Sequence, residues 1–186
     1  DHSEIRYERT YPPVDPAPAY RVRDVRDDDV PALTRLLHTA YAELGEQGLN
    51  FTAVDQSEAT TAYRTSLGQC WVVEHARDGL AAMLTVACPP SEALQDLSAS
   101  AREPGHAWIN QMAVAPAHRG RGLVRDLFER AQVWALGREA WRMGVDTALP
   151  AEHLVRLYRG WGFEPRETVQ WPGKTYRSLV MVAPLP

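Results

Sequence analysis

The sequence is poor in lysine, cysteine and long apolar runs, and each shortage excludes a class of protein. Lysine occurs once, as Lys174, and the nineteen arginines form no dominant basic stripe, which argues against nucleic acid as a main partner. No run reaches the roughly 18 apolar residues that a membrane-spanning helix needs. Cys70 and Cys88 lie within apolar stretches and are predicted to be buried thiols rather than a disulfide. Since no secretory signal pattern occurs either, we expect a cytoplasmic protein.

What remains is an ordinary globular composition over 186 residues, with 45% hydrophobic and 24% charged residues. A chain of this size can bury a core in one domain. Residues 1–19 are rich in proline and are predicted to form an extended arm. Residues 20–186 are predicted to form a single domain.

Charge is distributed unevenly along the chain. Residues 1–60 contain twelve acidic residues and six arginines, a net charge of −6, whereas residues 61–186 sum to +2. The asymmetry suggests a cationic ligand near the first part and an anionic ligand near the second. A solvated surface that binds no ligand is the alternative explanation.

Hydrophobic periodicity predicts seven strands and four main helices. The predicted strands cover residues 20–25, 70–74, 80–87, 107–115, 142–147, 163–171 and 175–183. The predicted helices begin near Asp27, at residue 57, at Gly122 and at Pro150, with one further turn at 93–97. The first helix is expected to stop at Gly45 and Gly48. This order predicts a mixed α/β sheet in one domain.

The most informative segment is Val114-Ala-Pro-Ala-His-Arg-Gly-Arg-Gly-Leu-Val124. A buried strand ends there, a short glycine loop follows, and a helix begins. Free backbone N–H groups and the positive end of the helix dipole then converge, which makes an anion site. Arg119, Arg121 and Arg125 add positive charge. A simple strand-to-helix connection is the plainer alternative.

Two other phosphate-binding motifs compete for this segment. A P-loop requires Gly-Lys-Ser/Thr after its glycines, and that triplet is missing. A dinucleotide-binding loop would need a third glycine where Arg125 stands, with Asp146 as its ribose-binding acid. Its glycine turn should also follow the strand at once, whereas Ala115–Arg119 intervene.

Two motifs resemble the GCN5-related N-acetyltransferase (GNAT) family. Met112-Ala-Val-Ala-Pro-Ala-His-Arg-Gly-Arg-Gly122 matches the pattern hydrophobic-x-Val-x-Pro-x-x-Arg-Gly-x-Gly, and Leu157-Tyr-Arg-Gly-Trp-Gly-Phe163 matches Leu-Tyr-x-x-x-Gly-Phe. The resemblance covers roughly residues 20–183. It implies the acyl-CoA N-acyltransferase fold: a mixed, mostly antiparallel central sheet of about seven strands with about four helices.

The resemblance also implies acetyl-CoA as the co-substrate, bound where two parallel strands splay apart. Main-chain groups of Met112, Ala113 and Val114 would pair with the pantetheine arm. The pyrophosphate would lie on the loop amides of Arg119, Gly120, Arg121, Gly122, Leu123 and Val124. Two positions depart from the family pattern: Val124 replaces a small residue, and Ala151 stands where an asparagine is common.

The resemblance makes Tyr158 the general acid that protonates the leaving thiolate, and a purely structural tyrosine is the alternative. The family's usual central-strand glutamate is missing. Glu74, Asp146, His106 or a water chain are therefore the candidates for the base. His118 is expected on the phosphate loop, and His38 is expected to be structural. No metal-ligand spacing and no nucleophile elbow occur, which fits direct acetyl transfer without metal.

By the same resemblance, the first two helices and the last hairpin shape the acceptor side. Carboxylates and aromatic residues there suit a small cationic amine, with an aminoglycoside antibiotic as the specific hypothesis. A peptide N-terminus or an amino-acid amine is the runner-up, and a non-catalytic acyl-CoA-binding module is the alternative of another class. No membrane partner is expected, and the enzyme would act as a monomer or homodimer. The predicted acceptor-side residues are Tyr41, Glu43, Glu46, Phe51, Asp55, Glu58 and Tyr63.

Overall fold

A computed structural model describes residues 19–186 as one seven-stranded sheet flanked by helices. The strands are β1 Tyr20–Asp24, β2 Gln69–His75, β3 Gly79–Ala87, β4 His106–Val114, β5 Arg142–Ala148, β6 Glu164–Val169 and β7 Ser178–Pro184. Their spatial order is β1-β2-β3-β4-β5-β7-β6, and only β4 and β5 pair in parallel. Apart from Ala19, the predicted N-terminal arm lies outside the described residues.

The described residues contain six α-helices rather than about four. They are α1 Val30–Glu46, α2 Glu58–Ser66, α3 Glu92–Leu97, α4 Ala99–Arg102, α5 Leu123–Leu136 and α6 Glu152–Gly160. The additional short helices α3 and α4 occupy the segment where a single turn was predicted. Each begins at a serine whose hydroxyl oxygen accepts a backbone N–H: Ser91 from Leu94 at 3.3 Å and Ser98 from Ala101 at 3.1 Å. None of the helices in residues 19–186 is long and apolar enough to span a membrane.

Element boundaries differ from prediction mainly at glycine and proline positions. Helix α1 continues through Gly45 to Glu46 and ends before Gly48, whose positive φ of 84° lies in the left-handed region. The last two strands are shorter than predicted, because residues 170–177 form the connecting turn. The predicted fold class and the order of the main elements are confirmed.

Helices cover both faces of the sheet. On one face Leu33 and Leu37 of α1 pack with Val72 and Met83 of β2 and β3. On the other face α5 packs with the neighbouring strand residues, whose side chains point the opposite way because direction alternates along a strand. Both cysteines are free thiols, as predicted; Cys70 is buried as expected, whereas Cys88 is only half-buried.

The parallel pairing of β4 with β5 positions the glycine loop. Helix α5 connects the two strands, so the loop between β4 and α5 lies at the carboxyl end of β4. Strand β3 precedes β4 as its antiparallel partner, not as part of a parallel wound unit. The dinucleotide-binding alternative is therefore wrong, because that fold is a mostly parallel sheet built from repeated βαβ units, whereas every strand pair of residues 19–186 other than β4–β5 is antiparallel.

Candidate active site

Strands β4 and β5 separate part-way along their length. They pair only from His106 opposite Arg142 to Ile109 opposite Val145. The next residue, Asn110, is the extra residue of a β-bulge, because Ile109 faces Val86 and Gln111 faces Thr85 on β3. Beyond the bulge, the edge of β4 that faces β5 has no strand partner. Its backbone groups there are available to a ligand.

One cavity, of about 430 Å³, opens beside the unpaired end of β4. We call it the loop cavity, because the glycine loop closes one side of it; α1 and α6 close the others. Six of the nine predicted acetyl-CoA residues line it. They are Met112, Ala113, Val114, Arg119, Gly120 and Val124. The remaining three, Arg121, Gly122 and Leu123, follow in the same loop and the first residue of α5, outside the lining.

The glycine loop has the geometry of an anion site. Gly120 and Gly122 adopt φ values of 77° and 73°, and a Cβ at either position would meet no atom within 4 Å. Within residues 19–186, the five backbone N–H groups from Gly120 to Val124 donate to no backbone oxygen. The last two belong to the first turn of α5, where the helix dipole is positive. These N–H groups are therefore free to bind an anion such as a pyrophosphate.

The basic side chains of the loop are arranged differently from one another. Arg119 extends to α1, where its guanidinium donates to the Ala40 carbonyl at 3.1 Å. Arg125 lies along α5, 5.4 Å from the centre of the Phe128 ring. Arg121 is exposed. Arg119 is the arginine that lines the loop cavity.

A second and larger cavity, of about 910 Å³, lies on the other side of Tyr41 and Met112, which line both. We call it the sheet cavity, because the β4 bulge and the end of β5 form its floor. The Tyr41 hydroxyl donates to the Met112 carbonyl at 2.8 Å across the junction. Burial raises the pKa of Tyr41 to about 12, so this hydroxyl remains protonated.

Tyr158 lies at the sheet cavity. Its ring is 4% exposed and packs edge-on against Trp161 and Phe163. Within the described chain its hydroxyl has no hydrogen-bond partner. Burial, together with Tyr41 and Asp146, raises the pKa of Tyr158 well above 10. The side chain is therefore a packed ring with a protonated and unengaged hydroxyl at the cavity.

The acidic residues predicted for the acceptor side do not converge there. Tyr41, Phe51 and Tyr63 line the sheet cavity. Glu43 lines the loop cavity instead. Three further carboxylates are exposed and line neither cavity. They are Glu46, Asp55 and Glu58.

Several polar residues that sequence reasoning missed line the sheet cavity, among them Arg64, Asn110, Thr147 and Lys174. Asn110 interrupts an apolar strand and Lys174 is the only lysine, so each carried a weak signal. Arg64 and Thr147 carried none, because their sequence neighbourhoods are those of an ordinary amphipathic helix and an ordinary strand.

Comparison with known proteins identifies the fold family. The family model for acetyltransferases of the GNAT family matches residues 31–163, most of the chain. The chain belongs to the GNAT family. A search of curated protein sequences finds no significant match.

Several solved structures share the GNAT architecture at low sequence identity. The ribosomal-protein-S18-alanine N-acetyltransferase of Escherichia coli superposes with a TM-score of 0.65 at 16% identity, over 89% of this chain and 94% of that one. A spermidine N-acetyltransferase chimera from Vibrio cholerae and hSSAT gives 0.62 at 16%, over 90% and 96%. The yncA protein of Salmonella typhimurium, solved with its cofactor acetyl-CoA, gives 0.62 at 18%, over 90% and 95%. At these identities the likeness concerns the fold.

Position separates the three base candidates of this GNAT acetyltransferase. Asp146 lines the sheet cavity, where its carboxylate oxygens accept the indole N–H groups of Trp108 and Trp171 at 2.9 Å each. Glu74 pairs with Arg23 at 2.8 Å, and it lines neither cavity. His106 is buried at the start of β4, also outside both cavities.

The position usually occupied by asparagine in the family is apolar here. Ala151 is buried with Leu44 and Leu49, and it precedes α6 without a side-chain cap. Val124, the other departure, lines the loop cavity. Neither substitution closes that cavity.

Two histidines, His118 and His38, contact other protein groups and do not line the loop cavity. The His118 ring turns away from the glycine loop: Nδ1 lies 2.8 Å from the Tyr20 hydroxyl and Nε2 lies 2.8 Å from Asp78. His38 Nε2 lies 2.8 Å from the Gln56 carbonyl, a structural contact. His118 therefore supports the turn before the loop and does not point into the loop cavity.

One group of side chains could geometrically hold a metal ion. His75, Asp78 and His118 bring their ligand atoms within 4.8 Å of one another. The His75 Nδ1 lone pair already accepts the backbone N–H groups of Arg77 and Asp78 at 3.3 and 3.1 Å. The group lies outside both cavities, so the acetyl-transfer site does not include it.

Proposed function

We propose that this acetyltransferase transfers the acetyl group of acetyl-CoA directly to a primary amine of a small molecule. The observation that carries the proposal is the meeting of two cavities at Tyr41 and Met112, with Tyr158 in the lining of the sheet cavity. The loop cavity is suited to the cofactor and the sheet cavity to the acceptor. Two ligands could thus meet end to end without an acyl-enzyme intermediate.

The loop cavity fits the cofactor in charge and shape. The free N–H groups from Gly120 to Val124 would bind the pyrophosphate, and Arg119 would add positive charge. The unpaired edge of β4 at Met112–Val114 would offer main-chain groups to the pantetheine arm. The Met112 carbonyl also accepts the Tyr41 hydroxyl, which fixes that carbonyl at the junction. Acetyl-CoA supplies the activated thioester.

Two side chains would then handle protons. Tyr158 would protonate the thiolate as it leaves, because its raised pKa keeps the hydroxyl protonated throughout the physiological range. Asp146 would accept a proton from the incoming ammonium, directly or through a water molecule. Of the three base candidates it is the one that lines the sheet cavity.

Two acceptor classes follow from the sequence, and the sheet cavity favours the second. An aminoglycoside would be attracted by a lining of carboxylates, but Glu43, Glu46 and Asp55 lie outside this cavity. They can act on a polycation only from a distance, through screened charge. The lining combines the cations of Arg64 and Lys174 with the carboxylates of Asp146 and Glu92, and this mixed charge suits the runner-up, an amino-acid or peptide amine.

The experiment is thiol release from acetyl-CoA across a panel of amines, with the product identified by mass spectrometry. The panel contains aminoglycosides, spermidine, amino acids and short peptides. We expect release with an amine and an acetylated amine as the product. Acetyl-CoA binding by calorimetry without release for any amine would instead support a non-catalytic acyl-CoA-binding module.

A salt series on the same panel separates the acceptor classes. Turnover of a polycation steered by remote carboxylates should weaken as ionic strength rises, with a Debye length of about 10 Å at 0.1 M. A preferred aminoglycoside with steep salt dependence would restore the antibiotic hypothesis.

A further inference from the structure

The sheet cavity is lined by two cations that form no ion pair within the described residues. Arg64 lies in the last turn of α2, and Lys174 lies in the turn between β6 and β7. Within residues 19–186, no carboxylate oxygen comes within 4.0 Å of either. The Lys174 ammonium donates only to neutral oxygens, at 2.7 Å to the Asn50 carbonyl and 2.9 Å to the Thr52 hydroxyl.

The neighbouring carboxylates offset the effect of burial on these cations only in part. Burial lowers the pKa of both Arg64 and Lys174, and Arg64 lowers the pKa of Lys174 further. Asp146 acts on Arg64 from a distance, but both of its oxygens already accept indole N–H groups. Asp55 acts similarly on Lys174, and Glu92 is exposed at the rim.

Two polar side chains of the same cavity have no partner. The Thr147 side chain is 4% exposed, and its hydroxyl oxygen makes no hydrogen bond within the described chain. The side-chain N–H₂ of Asn110, the residue of the β4 bulge, is also buried without an acceptor. A buried polar group without a partner costs free energy, so such groups mark places where a ligand binds.

We propose that Arg64 and Lys174 bind a carboxylate carried by the acceptor, so that the acceptor is an amino acid or a similar zwitterion. This inference rests on the proposed acetyl transfer and names its substrate class. The acceptor's ammonium group would lie toward Asp146, and its carboxylate would lie toward the two cations. Asn110 would donate to the acceptor, and the Thr147 hydroxyl would bond to it.

The chemistry of the pocket explains why a polycation fits less well. An aminoglycoside would bring several ammonium groups next to a half-buried guanidinium and a half-buried ammonium, and like charges close together repel more strongly where they are partly desolvated. A carboxylate removes that repulsion and binds the planar guanidinium through two parallel N–H bonds. Positive charges in the lining therefore select for an anion beside the reacting amine.

The test compares amino acids of several side-chain types with their carboxamides, which keep the amine and lose the negative charge. We expect kcat/KM for the acids to exceed that for the amides by roughly 10- to 100-fold, the usual value of a charge-assisted hydrogen bond. In Arg64→Gln this preference should disappear, mainly through a higher KM for the acids, so that the ratio of kcat/KM for acids to that for amides falls toward one. Arg64→Lys should retain part of the preference.

Lys174 is tested separately, because its ammonium also holds Asn50 and Thr52. Lys174→Met should reduce the preference for acids, and thermal unfolding checks that the turn stays folded. If unfolding shows that the methionine variant is damaged, Lys174→Arg takes its place in the test and should preserve the preference. Arg35→Gln is the matched control, since Arg35 is exposed on α1 and lines neither cavity; it should leave both substrates unaffected.

Three results would overturn the inference. The first is equal turnover of acids and amides, and the second is preference for spermidine or an aminoglycoside. The third is a preference for succinyl-CoA over acetyl-CoA that Arg64→Gln abolishes, which would assign the cations to a carboxylate on the acyl donor.

Failure of the proposed function can be told apart from failure of this inference. If no amine releases thiol, calorimetry on the protein saturated with CoA measures binding of the same acids and amides. Tighter binding of the acids, lost in Arg64→Gln, would uphold the carboxylate site while refuting catalysis. Equal binding of acids and amides would refute the carboxylate site. Thiol release with an amide or a polyamine as the preferred acceptor would also refute that site but would support the proposed acetyl transfer.

Discussion

Replacing Gly122 by aspartate tests the glycine loop as a pyrophosphate site, with asparagine as a matched control. Gly122 has a φ of 73°, and a Cβ there would meet nothing within 4 Å. Aspartate and asparagine tolerate the left-handed region better than other residues with a Cβ. The two variants therefore share any backbone strain and nearly the same shape, and they differ by one negative charge.

The size of the charge effect follows from Coulomb's law. Two unit charges about 4 Å apart interact by about 1 kcal/mol in water and about 4 kcal/mol at the effective dielectric of a protein surface. A carboxylate at Gly122 next to a bound phosphate should therefore weaken acetyl-CoA binding by roughly 5- to 900-fold relative to asparagine. The same carboxylate lies at the N-terminus of α5, where the helix dipole favours it by about 0.3–1 kcal/mol. Binding and stability should thus change in opposite directions.

Calorimetric titration with acetyl-CoA measures the first effect and thermal unfolding without ligand measures the second. We expect Gly122→Asp to bind acetyl-CoA more weakly than Gly122→Asn while unfolding at the same or a higher temperature. The difference in Kd should shrink as salt is added, because salt screens exposed charges. Equal Kd values for the two folded variants would show that no phosphate lies near this loop.

Three further substitutions probe other parts of the molecule. Tyr158→Phe should lower turnover by roughly 10²–10⁴-fold without changing the Kd for acetyl-CoA. In the wild-type enzyme, ionisation of Tyr158 should cause no loss of rate up to pH 10, because its pKa lies well above that value. Unchanged turnover of the variant, with chemistry rate-limiting, would make the residue structural. Asp29→Asn should lower the free energy of unfolding in urea by about 2 kcal/mol at pH 7, because Arg23 makes two 2.7 Å bonds to a carboxylate whose pKa it holds below 3.8. The difference from wild type should persist at pH values above 3.8 and be lost as the pH falls through the lowered pKa of folded Asp29; a pH-independent difference would refute the ion-pair account. Gly144→Ala should lower the free energy of unfolding by about 1–3 kcal/mol, because the alanine Cβ would overlap the buried Trp108 ring. A variant as stable as wild type would show that the ring can move aside freely.

The glycine loop was predictable because its features are local. Gly120 and Gly122 both adopt positive φ, which the sequence signals by placing glycine at two alternate positions before a helix. The end of β4 and the start of α5 follow from hydrophobic periodicity. Local pattern could not show that the His118 ring leaves the loop for Tyr20 and Asp78, since those partners lie 98 and 40 residues away in sequence.

The acceptor side was much less predictable. A net charge of −6 over residues 1–60 suggested a carboxylate-lined pocket, but charge along a segment does not say which way each side chain points. Glu46 and Asp55 face solvent. The charge that does line the sheet cavity comes from Arg64, in a helix, and from Lys174, in a distant turn.

Sequence alone determined the order of the main elements, the parallel crossover at the glycine loop and the position of Tyr158, because periodicity, glycine conformation and short motifs act over a few residues. Tertiary structure alone decided what the sheet cavity offers to a ligand. Asn110 depends on a bulge against β3, and Arg64 of α2 and Lys174 of the turn between β6 and β7 line the same cavity although they are far apart in sequence. Specificity of this kind arises from contacts between residues far apart in the chain, and no local pattern records them.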